Sequence, residues 1–198
     1  MLTKKRIPLL IAFIFCLEAV IYLWAVWTTE AEFVFDKCAR NAGRASSAII
    51  LITLLMVGYY GLKGIYLDDK KKNAFRVLIT LFAINHLIHF FYVFMRFKSH
   101  SETIDIAENL HGFITFIFIL IIPFILLACK NLNRLLYFGI ILHLFNVSYF
   151  ICKTFLSKVK PDHPAYHNLF GIVVITAACI YILYRVFREN KRSSPANW

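Results

Sequence analysis

Six apolar runs, each close to the length needed to cross hydrocarbon, leave this chain little choice of fold. They fall at about 7–27, 47–66, 75–95, 109–129, 134–154 and 169–187. A span needs about 20 predominantly apolar residues, because the hydrocarbon layer is about 30 Å thick and a helix rises about 1.5 Å per residue. In lipid the backbone has to satisfy its own hydrogen bonds, so runs of this length fold as helices. The expectation is an all-α integral membrane six-helix bundle, with residues 1–198 forming a single transmembrane domain. The hydrophobic content of 60%, the mean hydropathy of +0.68 and the 20 Phe agree with that class. The segments between runs are too short for a soluble domain, and no Gly-rich phosphate motif occurs.

The charges orient the spans. Lys4-Lys5-Arg6 before an apolar run resembles a signal peptide, but that run holds Glu18, Trp24 and Trp27 and lacks a small-x-small cleavage site. It reads as a retained first helix whose tryptophans mark a membrane interface. With the N-terminus inside, the inner flanks collect most of the basic residues, including Lys70, Lys71, Lys72, Arg188, Lys191 and Arg192, while most acids fall outside. Both termini are therefore expected to be cytoplasmic. The net charge of +11 is then a topology signal with attraction to anionic lipid heads, and it requires no nucleic-acid partner. The expected location is a cell membrane, multi-pass, with a bacterial inner membrane as the compartment.

Polar residues inside the spans carry the functional question. The third span holds Asn85, His86 and His89, the fifth His143 and Asn146, and the first Glu18. His86 and His89 are three residues apart and share a helix face. His86 lies ten residues beyond Arg76 and His143 nine beyond Arg134. At about 1.5 Å per residue, both sit about 14–15 Å from the inner boundary, near the midplane. Ionisable groups at such depth are costly and mark functional sites. One reading is axial ligation of a haem iron, or coordination of another metal, by His86 and His143, with His89 as the alternate. Phe82, Phe90, Phe91, Tyr92, Phe145, Tyr149 and Phe150 would line the faces of a macrocycle. The plainer reading is that each His hydrogen-bonds a neighbouring helix. Glu18 is either a protonated structural group, a member of a proton relay, or a hard ligand to a non-haem metal.

The remaining chemistry-bearing residues are peripheral. His100 and His163 read as solvated loop residues, whereas His111 and His167 stand where spans begin and could close over an outward-facing pocket. His111 is a second candidate for the relay. Arg44, Arg96 and Lys98 lie at that same face, placed to meet haem propionates or a quinone head group, or to snorkel to lipid phosphate. The run from Asp68 to Lys72 reads as a hairpin loop with a topology anchor. Cys16, Cys38, Cys129, Cys152 and Cys179 show no metal spacing, and a Cys38–Cys152 disulfide has no support from spacing.

The order of these features resembles the ferric reductase-like transmembrane domain, a family that includes haem-carrying membrane subunits. The likeness lies in Asn41-Ala42-Gly43-Arg44-Ala45-Ser46, in Arg76-Val77-Leu78 leading to His89, in His111-Gly112 through Ile122-Pro123, and in Leu132-Asn133-Arg134-Leu135-Leu136-Tyr137. Asn133 and Asn146 stand where the family pattern has its fifth-helix histidines. The resemblance then implies a haem shifted by one turn, between His86 and His143, with His89 the direct match.

The function expected on that basis is a membrane subunit that passes electrons across the bilayer on haem b. The donor would be a quinol or a soluble flavin reductase, and a periplasmic acceptor would take the electrons. It would be an oxidoreductase subunit that needs a partner, since no flavin or nicotinamide motif occurs. The alternatives are a non-haem protein with a Glu/His proton-linked or metal site, in a transporter or lipid-modifying enzyme, and a scaffold subunit of a membrane complex.

Overall fold

The computed structural model describes residues 6–103, 105, 109–128, 134–159 and 165–192. Six helices take up nearly all of these: α1 Arg6–Thr28, α2 Val34–Leu67, α3 Asp69–Ser99, α4 Leu110–Ala128, α5 Arg134–Leu156 and α6 Tyr166–Arg192. A single 3-10 turn, Ala31–Phe33, joins α1 to α2. All six helices are long and apolar enough to cross a membrane, and no strand occurs among the described residues. Phe13, Leu23, Phe124, Leu135, Val173 and Phe187 are exposed. Such a surface would drive aggregation in water and is ordinary for helices facing lipid.

Two expected boundaries are corrected. The second span was expected from about residue 47, but α2 already begins at Val34. Its first turns hide an apolar stripe: Val34, Cys38, Ala39 and Ala42 are buried at helical spacing, while Arg40 and Arg44 are exposed. Averaging hydropathy over both sides obscures that pattern. The Asp68–Lys72 run is not a hairpin loop either. Asp68 alone separates α2 from α3, and its Oδ1 accepts from the backbone N–H groups of Lys70 (2.9 Å) and Lys71 (3.3 Å). This is a helix N-cap. The Lys71 side chain adds an ion pair at 3.1 Å, and it holds the Asp68 carboxyl below the usual range, with the backbone bonds acting the same way.

The chain forms two compact units, Met1–Ile49 with Arg76–Ala128 and Ile50–Phe75 with Cys129–Trp198. In the first, Ala25, Val34, Cys38, Ala39, Ala42 and Tyr92 form a buried cluster. Pro123 sits within α4, whose helix runs through it.

In the second unit, α5 and α6 pack together, and the rings of Phe75 and Tyr137 lie 5.8 Å apart. Here α2 is broken at Gly61, whose φ of 72° and ψ of 166° belong to a region that only glycine occupies without strain. A break leaves helix groups without their usual partners. Side chains of α6 take them up: the Lys63 N–H donates to Glu189 Oε2 at 3.2 Å, and Arg185 donates to the Tyr59 carbonyl at 3.2 Å.

Candidate functional site

The third helix carries Phe82, Asn85, His86, His89 and Tyr92 at three- and four-residue steps, so they lie along one side. Opposite stand Ala42, Gly43 and Ser46 of α2. Small residues of this kind let helix backbones approach closely in a membrane, where the aqueous hydrophobic drive between helices is missing. Asn85, fully buried, uses that proximity: its Nδ2 donates to the Ala42 carbonyl at 3.1 Å and to Ser46 Oγ at 2.8 Å.

The two histidines of α3 have different surroundings. His86 turns Nδ1 toward Ser46 Oγ at 3.4 Å. Its ring stacks on Phe82 (centroids 5.3 Å) and lies 6.1 Å from Phe116 of α4, which in turn stacks on Phe90 at 4.3 Å. His89, with its centroid 5.3 Å from that of His86, lies instead against the bare Cα of Gly43. The shared helix face expected for the pair is present, and His86 has aromatic neighbours on both α3 and α4.

Of the aromatic residues expected to line a cofactor, Phe82 and Phe90 join this cluster. Phe91 and Tyr149 are exposed, at 53% and 58%, on outer surfaces of their helices. Tyr92 is buried, and its hydroxyl donates to the Glu18 backbone carbonyl at 3.4 Å.

Glu18 is 3% exposed, and neither carboxyl oxygen has a hydrogen-bond partner among the described residues. His111, its expected relay companion, is exposed in the first turn of α4. His143 belongs to the second unit, part-buried in α5 on a helix whose buried residues include Ile140, Ile141, Leu144 and Val147.

At the end of α3 the sequence reading is revised. His100 is no solvated loop residue: its Nε2 lies 2.7 Å from Asp36 Oδ2, and its ring is 6.1 Å from Phe33. Arg96 donates from Nε to Asp36 Oδ1 at 2.9 Å and lies 3.5 Å from Glu102. Asp36 stands in the first turn of α2, ahead of the apolar run that marks the second span, and the amphipathic start of that helix is the sequence signal that points to it. Arg44 is exposed and reaches Asn41 Oδ1 at 3.4 Å. His163, Cys129 and Asn133 lie outside the described residues.

Cys16, Cys38, Cys152 and Cys179 are free thiols. Among the described residues no group of three or more His, Cys, Asp or Glu side chains could hold a metal ion. What the first unit offers is one mid-span imidazole, oriented by a hydroxyl and enclosed by phenyl rings. Set against known proteins, the chain matches no protein family, no curated protein and no solved structure.

Proposed function

We propose that the protein is a membrane electron-transfer subunit that binds haem b through His86. The observation that carries this reading is the orientation of that imidazole, with Nδ1 turned to Ser46 Oγ. Histidine ligands are typically held through the ring nitrogen that does not bind the metal, which fixes tautomer and direction. With Nδ1 donating to Ser46, Nε2 of His86 would hold the iron, and Phe82 and Phe116 would supply apolar surface that keeps water from the group. The packing of His89 on Gly43 speaks for His86 rather than His89 as the ligand. Bound haem supplies one-electron transfer. A separate reductase or quinol would deliver the electrons, and both termini would face the cytoplasm.

The test is an absorbance spectrum of protein purified after expression with ample haem. A Soret band that shifts on reduction, is lost in His86→Ala and persists in His89→Ala is the expected result. No Soret band in the wild-type protein overturns the reading. Stoichiometric zinc, copper or iron without porphyrin would transfer the site to a non-haem metal protein.

A further inference from the structure

One buried ionisable group has no part in the proposed haem site. Glu18 is ten residues from either end of the apolar span Pro8–Thr28, hence about 15 Å from both boundaries. Ile14 (2% exposed), Glu18 (3%) and Ala25 (0%) are the buried residues of α1 from position 8 onward. Steps of four and seven residues put them on one face, so the carboxyl stands in the middle of the face that α1 buries.

A structural role would require the carboxyl to hydrogen-bond across helices, and among the described residues it does not. Both oxygens lack a partner among the described residues, and the Tyr92 hydroxyl goes to the Glu18 backbone carbonyl instead. Cys38 of α2 and Tyr92 of α3 are close enough to Glu18 to interact with it electrostatically, and Tyr22 of α1 interacts in the same way with Tyr92. No basic side chain is among them. An ionised carboxylate buried without a counter-charge is very costly, so the neutral acid is the form this environment can hold. An alkali or alkaline-earth cation would need several oxygen ligands, whereas the cluster around Cys38 and Tyr92 is built from Ala25, Val34, Ala39 and Ala42.

We propose that Glu18 is a proton-binding site within the membrane: its carboxyl takes up a proton from water and returns it, with the Cys38 thiol and Tyr92 hydroxyl as neighbours in the exchange. The site is independent of haem. Its ligand class is the proton, and the step is a reversible protonation with no other group transferred.

The experiment uses the full chain in neutral-lipid vesicles, treated with the hydrophobic reagent dicyclohexylcarbodiimide and mapped by mass spectrometry. The reagent adds to a protonated carboxyl and rearranges to a stable N-acylurea. The expected adduct is on Glu18, absent in Glu18→Gln and retained in Glu18→Asp, and its rate falls about tenfold per pH unit above the titration midpoint. Infrared difference spectra should show a carboxylic C=O band that shifts in D2O and is missing in Glu18→Gln. No adduct at Glu18 at any acidic pH overturns the proposal. So does equal labelling by a water-soluble carbodiimide, protection by sodium, or a C=O band that resists D2O. A chain that labels at Glu18 but shows no Soret band keeps this proposal and removes the haem reading.

Discussion

The imidazole of His89 rests on Gly43: its Cε1 is 3.0 Å from the point where a Cβ on that residue would sit. That distance is tighter than ordinary van der Waals contact, so the ring has occupied the space a side chain would need. Adding one methyl forces the ring to move. Gly43→Ala should destabilise the protein by about 1–3 kcal/mol, the usual cost of overpacking, read as a lower midpoint of thermal unfolding in detergent. Truncating the ring removes the conflict, so Gly43→Ala with His89→Ala should be less unstable than the two single changes added together. Strict additivity would mean that the contact carries no energy.

Asn85 and Ser46 should be coupled. Asn85→Ala leaves Ser46 Oγ and the Ala42 carbonyl without this donor in a buried setting, at a cost of about 1–3 kcal/mol. The interaction energy from a double-mutant cycle with Ser46→Ala is expected near 0.6 kcal/mol, the approximate average for interhelical hydrogen bonds in a membrane. Under the proposed haem reading, Ser46→Ala should also alter the position or width of the Soret band, because the His86 ring loses its orienting contact.

Gly61 and Glu189 provide a test of the helix break. A Cβ at position 61 would overlap the Glu189 carboxylate, and the positive φ is unfavourable for any other residue. Gly61→Ala should cost about 1–3 kcal/mol through backbone strain alone, with the collision adding to it. Glu189→Ala removes the collision and not the strain, so the double variant should recover part of the loss and never all of it. Full recovery in chemical unfolding would refute the strained geometry.

The cap on α3 should respond to pH. The Asp68 carboxyl is held below its ordinary value chiefly by its hydrogen bond from the Lys71 side chain, with the backbone N–H groups acting in the same direction. A carboxylate whose folded value is depressed contributes stability above its unfolded value and loses it as pH falls through the folded value. The protection factors of the Lys70 and Lys71 amides, taken relative to the intrinsic rate at each pH, should therefore be high at neutral pH and fall only below the usual carboxylate range. Asp68→Ala should show low protection factors at both. Equal protection in the variant and wild type at neutral pH would refute the capping role.

The contrast between His86 and His89 shows where reading the chain stops. Both residues sit mid-span three positions apart, and spacing alone treats them as equivalent, with His89 favoured by the family resemblance. Packing gives them different neighbours: the His86 ring meets the Ser46 hydroxyl, Phe82 and Phe116, and the His89 ring lies against Gly43. Arg96 and His100 were likewise visible as basic and titratable, but their partner Asp36 lies 60 positions from one and 64 from the other. No local pattern announces a contact over that separation.

What the sequence determined by itself is the helical, membrane-spanning class and the number of candidate spans, because the length of an apolar run and the need to satisfy backbone groups in lipid are properties of each segment alone. It also exposed Glu18, Asn85, His86, His89 and His143 as polar intrusions in apolar runs. The tertiary structure decided which side each of them faces. It also decided that α2 starts thirteen residues before the expected boundary at 47, that Asp68 caps α3, and that the Glu18 carboxyl is enclosed with no hydrogen-bond partner among the described residues. Those outcomes depend on which small residue of one helix lies opposite which large or polar residue of another, and average hydropathy carries no information about that.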